Sequence, residues 1–307
     1  MNVGIVGAGN MGAYHARIIG GIPGQRAVAI AGKGAARAAE VARELGIDAR
    51  GDWRTMLDDP GIDLIDVCAP TEAHAAVAIA AMKAGKHVIV EYPVCSTMRE
   101  LAAMRAASAK TGRACVPAYY GRYHSQYRHL FELARSGSLG AITGLAISRR
   151  SSPVFRSSDI VNDLVAQDID FMVRLLGKPR GIKAMRRGDS FAAFEFRYPG
   201  LVATIEGATD MHEGFPFSTY HRVSGTLGNV ELFWRFGANG PESRLFASDS
   251  GGCSSPTVAD YDPYDRELRE ILAAMDAGIA DDEAGIATVY DSAAVAFRCR
   301  SLARKDR

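Results

Sequence analysis

Two stretches of the chain carry residues spaced for chemistry. "GIVGAGNMGAYHARII" places Gly7, Gly9 and Gly12 as G-x-G-x-x-G between an apolar run and a helix-like run. In that setting Gly7 allows a tight turn and Gly9 lets the backbone approach a pyrophosphate. Gly12 lets the helix pack close to the strand, and the first helical residues, Asn10 and Met11, present N–H groups to the phosphates. The pattern alone is weak, because 32 of 307 residues are glycine; the strand before it and the helix after it make it a dinucleotide site. The second stretch, "VIVEYPVCST" (88–97), ends a strand-like run in Glu91, Tyr92 and Pro93. A phenol has a pKa of about 10 and is protonated at neutral pH. Tyr92 can therefore donate to a developing oxyanion, but it is a poor base for oxidising an alcohol. That chemistry favours the reductive direction.

An acid about 20 residues past the glycines normally holds the adenosine ribose hydroxyls. Gly32 and Lys33 stand there instead. A cation suits a 2′-phosphate, Gly32 leaves room for it, and Arg37 adds a second charge. The cofactor expected is NADP, with NAD as the alternative. Pro70, Thr71 and His74 follow the strand "DLIDVCAP" and border the same rim, His74 orienting the corner, with Glu91 beside it. Further along, His124 follows Arg122 and Tyr123. Asp163 and Gln167 are four apart and share a helix face, whereas Asp163 and Asp168 are five apart and do not. Asp170 reads as structural. His212, Tyr220 and His221 are further polar candidates, and Arg149, Arg150 and Arg156 flank a Ser-rich turn suited to an anion.

These groups need a scaffold. Up to about residue 120, apolar runs (3–7, 27–31, 63–70, 87–93, 114–119) alternate with helix-like stretches (10–20, 35–45, 72–84, 97–111). That alternation predicts βαβ units and a parallel sheet. Five of the 25 aromatic residues lie in this part and twenty beyond it. Helices are expected at 124–136, 159–176, 263–277 and 282–303. Strands are expected at 141–150, 181–187, 190–198, 201–210, 219–226 and 229–235, with 247–257 a Ser/Gly loop. Alternating apolar and polar residues there predict an antiparallel sheet. The domains expected are 1–120, binding dinucleotide, and 121–307, binding substrate and forming the oligomer.

A net charge of +1 excludes a nucleic-acid footprint. No apolar run reaches the roughly 18 residues of a membrane span. Met1 leads directly into a strand, so no leader is expected and the protein is expected to be cytoplasmic. Five scattered cysteines without CxxC suggest neither zinc nor disulfides, and no metal is expected. Cys68 reads as a buried free thiol.

"GIVGAGNMG", "DVCAPTEAH", "KAGKHVIVEYP", "GRYHSQYRHLFELARSGSLG" and "NDLVAQDIDFMVRLLG" together resemble the glucose–fructose oxidoreductase / inositol dehydrogenase / MocA family. The resemblance runs nearly end to end. It implies an α/β chain with an N-terminal Rossmann domain and a C-terminal α/β domain with an open, mostly antiparallel sheet. It also implies an NAD(P)-dependent oxidoreductase acting on a small molecule, and a homodimer or homotetramer formed through that sheet. Arg122 falls at the family arginine. The family's catalytic Lys, Asp and His are matched only at Asp163; Tyr92 and Gln167 occupy the other two places. The E-Y-P form resembles that of biliverdin reductases, a branch of the family that reduces a conjugated C=C/C=N system. The substrate implied is a keto-sugar or cyclitol, or a conjugated C=N or C=C compound. The alternatives are a dinucleotide-responsive regulatory protein that has lost catalysis, and an enzyme that oxidises a sugar alcohol with a rebuilt proton relay.

Overall fold

The computed structural model describes residues 1–153, 159–237, 240–259, 261–278 and 284–304. The chain forms two compact units, Met1–Tyr120 with Asp262–Tyr290, and Gly121–Tyr261 with Asp291–Arg307.

The first unit is built on β1 (Asn2–Val6), β2 (Arg26–Ala31), β3 (Asp48–Arg50), β4 (Leu64–Val67), β5 (His87–Val90) and β6 (Cys115–Pro117). The strands are parallel in the order β3-β2-β1-β4-β5-β6. Helices α1 (Asn10–Gly20), α2 (Ala35–Leu45), α3 (Thr71–Lys83) and α4 (Met98–Thr111) connect them. Val3, Ile5, Ile30, Leu64, Ile65, Val88 and Ile89 are fully buried. A sheet covered on both faces requires such continuous apolar runs. Asp66 breaks the run in β4 and is itself fully buried. α4 starts on a capping box in which Thr97 and Glu100 each accept a backbone N–H of the other.

The second unit is an eight-stranded sheet in the order β14-β13-β12-β11-β7-β10-β9-β8. Its strands are β7 (Ile142–Arg150), β8 (Gly181–Arg187), β9 (Phe191–Tyr198), β10 (Leu201–Ala208), β11 (Ser218–Gly225), β12 (Gly228–Gly237), β13 (Gly240–Asp249) and β14 (Gly252–Ser254). All neighbours are antiparallel except β7 and β10. The register aligns one row from Met185 through Ala193, Glu206, Ser148 and Tyr220 to Phe233 on the outer face. The row beside it, from Phe194 through Ile205, Ile147 and His221 to Leu232, points inward and is buried. Helices α5 (Ser125–Arg135) and α6 (Ala166–Leu176) pack on β12 and β10 respectively. Phe196 is completely buried in this core; truncating such a ring to alanine costs about 3–5 kcal/mol.

Three expectations need correction. The helix at Pro263–Asp276, α7, belongs to the first unit, where it packs on α1. The stretch 247–257 is not simply a loop: it contains the end of β13, a turn and β14. The helix at 159–176 begins with a π-helical turn at Val161–Val165 before α6. The last helix, α8, spans Tyr290–Arg304; residues 282 and 283 of the expected range lie outside the described residues. Among the described residues no helix is long and apolar enough to cross a membrane.

Candidate active site

The glycine turn has the shape its spacing predicts. Gly7 has φ +123°, and a Cβ there would meet the Cys68 carbonyl oxygen at 2.3 Å. A Cβ on Gly12 would lie 1.8 Å from the Gly7 oxygen, so α1 can sit this close only with glycine. A Cβ on Gly9 would meet no atom of the rest of the fold within 4 Å. Gly9 is the N-cap of α1, without a side-chain cap and with no acid in the first turn. The first N–H groups of α1 therefore face a site that favours an anion. Asn10 beside them is exposed and Met11 half-buried. These residues fit a dinucleotide diphosphate.

At the tip of β2, a Cβ on Gly32 would meet the Ala8 Cβ at 2.9 Å. A side chain at 32 has no room until Ala8 moves. Lys33 is exposed and has no ion pair among the described residues. Arg37 pairs with Glu40 at 2.7 Å on the surface, where solvent screens the contact and leaves it weak.

Pro70 precedes α3, whose first residue is Thr71. His74 is 1% exposed. Its Nδ1 lies 2.8 Å from the Pro93 oxygen and its Nε2 2.6 Å from the Ala69 oxygen, which ties the two rims together. The Tyr92 ring packs edge-on against Tyr119, centroids 5.3 Å apart, and the Tyr92 amide donates to Glu91 Oε2 at 2.6 Å.

Behind this corner lies a group of residues that sequence reasoning missed. His15 Nδ1 is 2.8 Å from Asp66 Oδ2, and His15 Nε2 is 3.3 Å from Glu91 Oε1. The Cys68 thiol faces Asp66 Oδ1 at 3.6 Å. Burial opposes a charge on His15, yet its neighbours raise the imidazole well above its ordinary range, Cys68 only were it a thiolate and Asp66 as a carboxylate. Burial and Asp66 push the Cys68 thiol up to about 12, so at neutral pH the sulfur stays protonated and Asp66 is the anion that acts. The available signal was a carboxylate inside the apolar "LIDV".

In the second unit, Gln167 Oε1 accepts the Gly121 N–H at 2.8 Å. Arg122 donates two hydrogen bonds to Asp170, at 2.9 and 2.7 Å. His124 stacks on Tyr127, centroids 4.4 Å apart. Asp163 is exposed in the π-helical turn. Arg149 and Asp168 form a buried bidentate pair at 2.7 and 2.6 Å, with His221 Nε2 3.2 Å from the same carboxylate. Burial would raise Asp168, but Arg149 and His221 hold it at about 2. Burial lowers His221, outweighing Asp168. Tyr220 is on the opposite face of the sheet and donates to Glu231 at 2.6 Å, so it and its neighbour His221 face different ways. Arg150 pairs with Glu206 on the outer face. His212 packs against Phe215, and Arg156 lies outside the described residues.

Residues 1–119 match the GFO_IDH_MocA family, described as an oxidoreductase family with an NAD-binding Rossmann fold. Over 298 residues the chain is 28% identical to inositol 2-dehydrogenase of Streptomyces avermitilis, covering 91% of this chain and 85% of that protein. The first 119 residues belong to the Gfo/Idh/MocA oxidoreductase family. The chain is an NAD(P)-dependent oxidoreductase. Over 114 residues it is 40% identical to levoglucosan dehydrogenase of Pseudarthrobacter phenanthrenivorans, 34% of this chain and 29% of that one. UDP-N-acetylglucosamine 3-dehydrogenase GnnA of Acidithiobacillus ferrooxidans shares the fold, with TM-score 0.85 and 22% identity over 99% of this chain and 98% of that chain.

Proposed function

We propose that this member uses NADP and works as a reductase, passing hydride to a keto-sugar or cyclitol, or to a conjugated C=N or C=C compound. The open space before Gly9, at an uncapped helix N-terminus, is the observation that carries the cofactor reading. Bound NADPH supplies the hydride. Gly7, Gly9, Asn10, Met11 and Gly12 hold the diphosphate. Lys33, with Arg37 released from its weak surface pair, binds the 2′-phosphate, and the Gly32 position bars the acid that would repel it. Pro70, Thr71, His74, Glu91 and Arg122 shape the remaining cofactor contacts, Arg122 through its pair with Asp170.

Tyr92 donates its phenolic proton to the oxygen or nitrogen that gains charge, and water restores it. Asp163, Gln167 and His124 are the further polar groups that act on substrate. Relatives named for inositol and levoglucosan favour the keto-sugar or cyclitol class. The protein is proposed to work as a homodimer or homotetramer in the cytoplasm.

The experiment is a fluorescence titration with NADPH and NADH, followed by turnover on a panel of keto-inositols, keto-sugars, cyclic imines and enones. NADPH is expected to bind more tightly, and Lys33→Ala to weaken it about tenfold while leaving NADH unchanged, the loss of one charge-assisted contact. Tyr92→Phe is expected to lower kcat by about 10²-fold, the scale of a general acid, with the NADPH Kd within twofold. Absence of dinucleotide binding rules the reading out. Binding without turnover across the panel favours the regulatory alternative, in keeping with Gln167 being tied to Gly121.

A further inference from the structure

One histidine ties the glycine-loop helix to the ends of two strands. His15 follows Gly12 by three residues, on the next turn of α1. Its two ring nitrogens face two carboxylates, Asp66 on β4 and Glu91 just beyond β5. The His15 and Asp66 side chains are 0% exposed and that of Glu91 is 13% exposed. The second Glu91 oxygen takes the Tyr92 amide proton. Nδ1 is within hydrogen-bond distance of Asp66, whereas Nε2 meets Glu91 Oε1 at 3.3 Å as a charge contact without hydrogen-bond alignment; only the imidazolium, with an N–H on each nitrogen, is attracted to both carboxylates at once. Ion pairs buried in an apolar sheet are weak contributors to stability, and leucine and valine would fill this space at less desolvation. A task other than stability accounts for it better.

We propose that His15 is a positioning residue for the E-Y-P corner: anchored by Asp66, its imidazolium holds the Glu91 carboxylate and so fixes the backbone of Tyr92 relative to the glycine loop. The proposal rests on the dinucleotide reading above. The groups around His15 are consistent with a persistent charge. Asp66 and Cys68 face it from β4, and Glu91 from the end of β5. Tyr14 adjoins it on α1. From α7 comes Tyr264, whose phenol burial pushes far up, with Tyr120, Glu91 and Glu267 adding to the effect. Both phenols and the Cys68 thiol stay neutral, Tyr14 being raised to about 12 by burial and Asp262. The histidine therefore has Asp66 and Glu91 as its immediate counter-charges.

The test is NADPH affinity, by nicotinamide fluorescence, from pH 6 to 9 in full-length wild type, Asp66→Asn, and Asp66→Asn with His15→Gln. Wild type is expected to hold its Kd within about twofold, because the imidazolium persists. In Asp66→Asn the proton is held by Glu91 alone, and the Kd is expected to weaken about fivefold as the ring loses its charge with rising pH. The double variant is expected to be weak and flat, which a mere packing role for His15 would not produce. A flat Asp66→Asn profile, or a double variant that keeps the slope, overturns the proposal. If Asp66→Asn does not fold, His15→Gln carries the test: a wild-type melting temperature with a Kd weakened about fivefold supports it, and an unchanged Kd overturns it. If wild type binds no NADPH, the dinucleotide reading falls by itself. The ring-nitrogen NMR shifts of His15 then decide, a charged ring up to pH 9 supporting the network and a neutral ring at pH 7 ending it.

Discussion

Gln167 accepts the backbone N–H of Gly121 at 2.8 Å, at the point where the second unit begins. A glutamine has no charge to change, so at this position it clips the chain and does not titrate. With Gln167 8% exposed, removing the acceptor leaves a shielded N–H without a partner, at about 1–3 kcal/mol. Gln167→Leu is therefore expected to lower unfolding stability by about that amount in urea, with the denaturant slope unchanged. A stability equal to wild type would show that water replaces the amide freely.

Gly32 and Ala8 give a second prediction, about cofactor choice. Because a Cβ at 32 meets that of Ala8 at 2.9 Å, Gly32→Asp is expected to weaken NADP and NAD alike and to lower the melting temperature. Adding Ala8→Gly opens the space, and the double variant is expected to favour NAD, the carboxylate now gripping ribose hydroxyls. Calorimetric titration of both cofactors measures this. A gain in NAD affinity from Gly32→Asp alone would contradict the packing argument.

The parts that were legible in the sequence are those governed by local rules. Gly7, Gly9 and Gly12 announce their turn by spacing, and five of the six parallel strands by short apolar runs; β3, reading Asp-Ala-Arg, has none and was not expected. The His15–Asp66–Glu91 group was not legible, because it forms only when α1, β4 and β5 come side by side; a lone carboxylate among Leu64, Ile65 and Val67 was its one trace. β13 was missed because its outward side chains, among them Glu242 and Arg244, are polar and exposed, and only pairing with β12 makes it a strand. α7 was assigned to the wrong unit because chain order, not packing, guided the assignment. Tyr220 and His221 read as equivalent candidates until strand alternation placed them on opposite faces.

The buried Asp168 carboxylate makes the second unit sensitive to acid. Its folded carboxyl is held at about 2, against 3.8 unperturbed, by Arg149 and His221 acting against burial. The folded value is depressed, so its stabilisation is fully present above 3.8 and is lost as pH falls through about 2. The difference corresponds to about 2 kcal/mol. Stability measured in urea is expected to decline over that window, and Asp168→Asn to flatten that part of the profile. The same variant is expected to cost about 3–5 kcal/mol at pH 7, because Arg149 is left buried without its counter-charge. A loss below 1 kcal/mol would mean that Arg149 finds another partner or water.

The outer face of the eight-stranded sheet supports a prediction about assembly. Met185 is 64% exposed, Val202 49%, Phe246 48% and Phe233 37%, and Met185 and Phe233 lie on one register row. Their exposed side chains leave the fold of one chain largely indifferent to substitution, whereas a partner seated there would not tolerate a buried charge. Phe233→Glu with Phe246→Lys is expected to keep the melting transition cooperative and the NADPH Kd within twofold. Sedimentation is expected to show the wild-type oligomer reduced to monomer by these two changes. An unaltered mass would mean that this face meets solvent and that the subunits associate elsewhere.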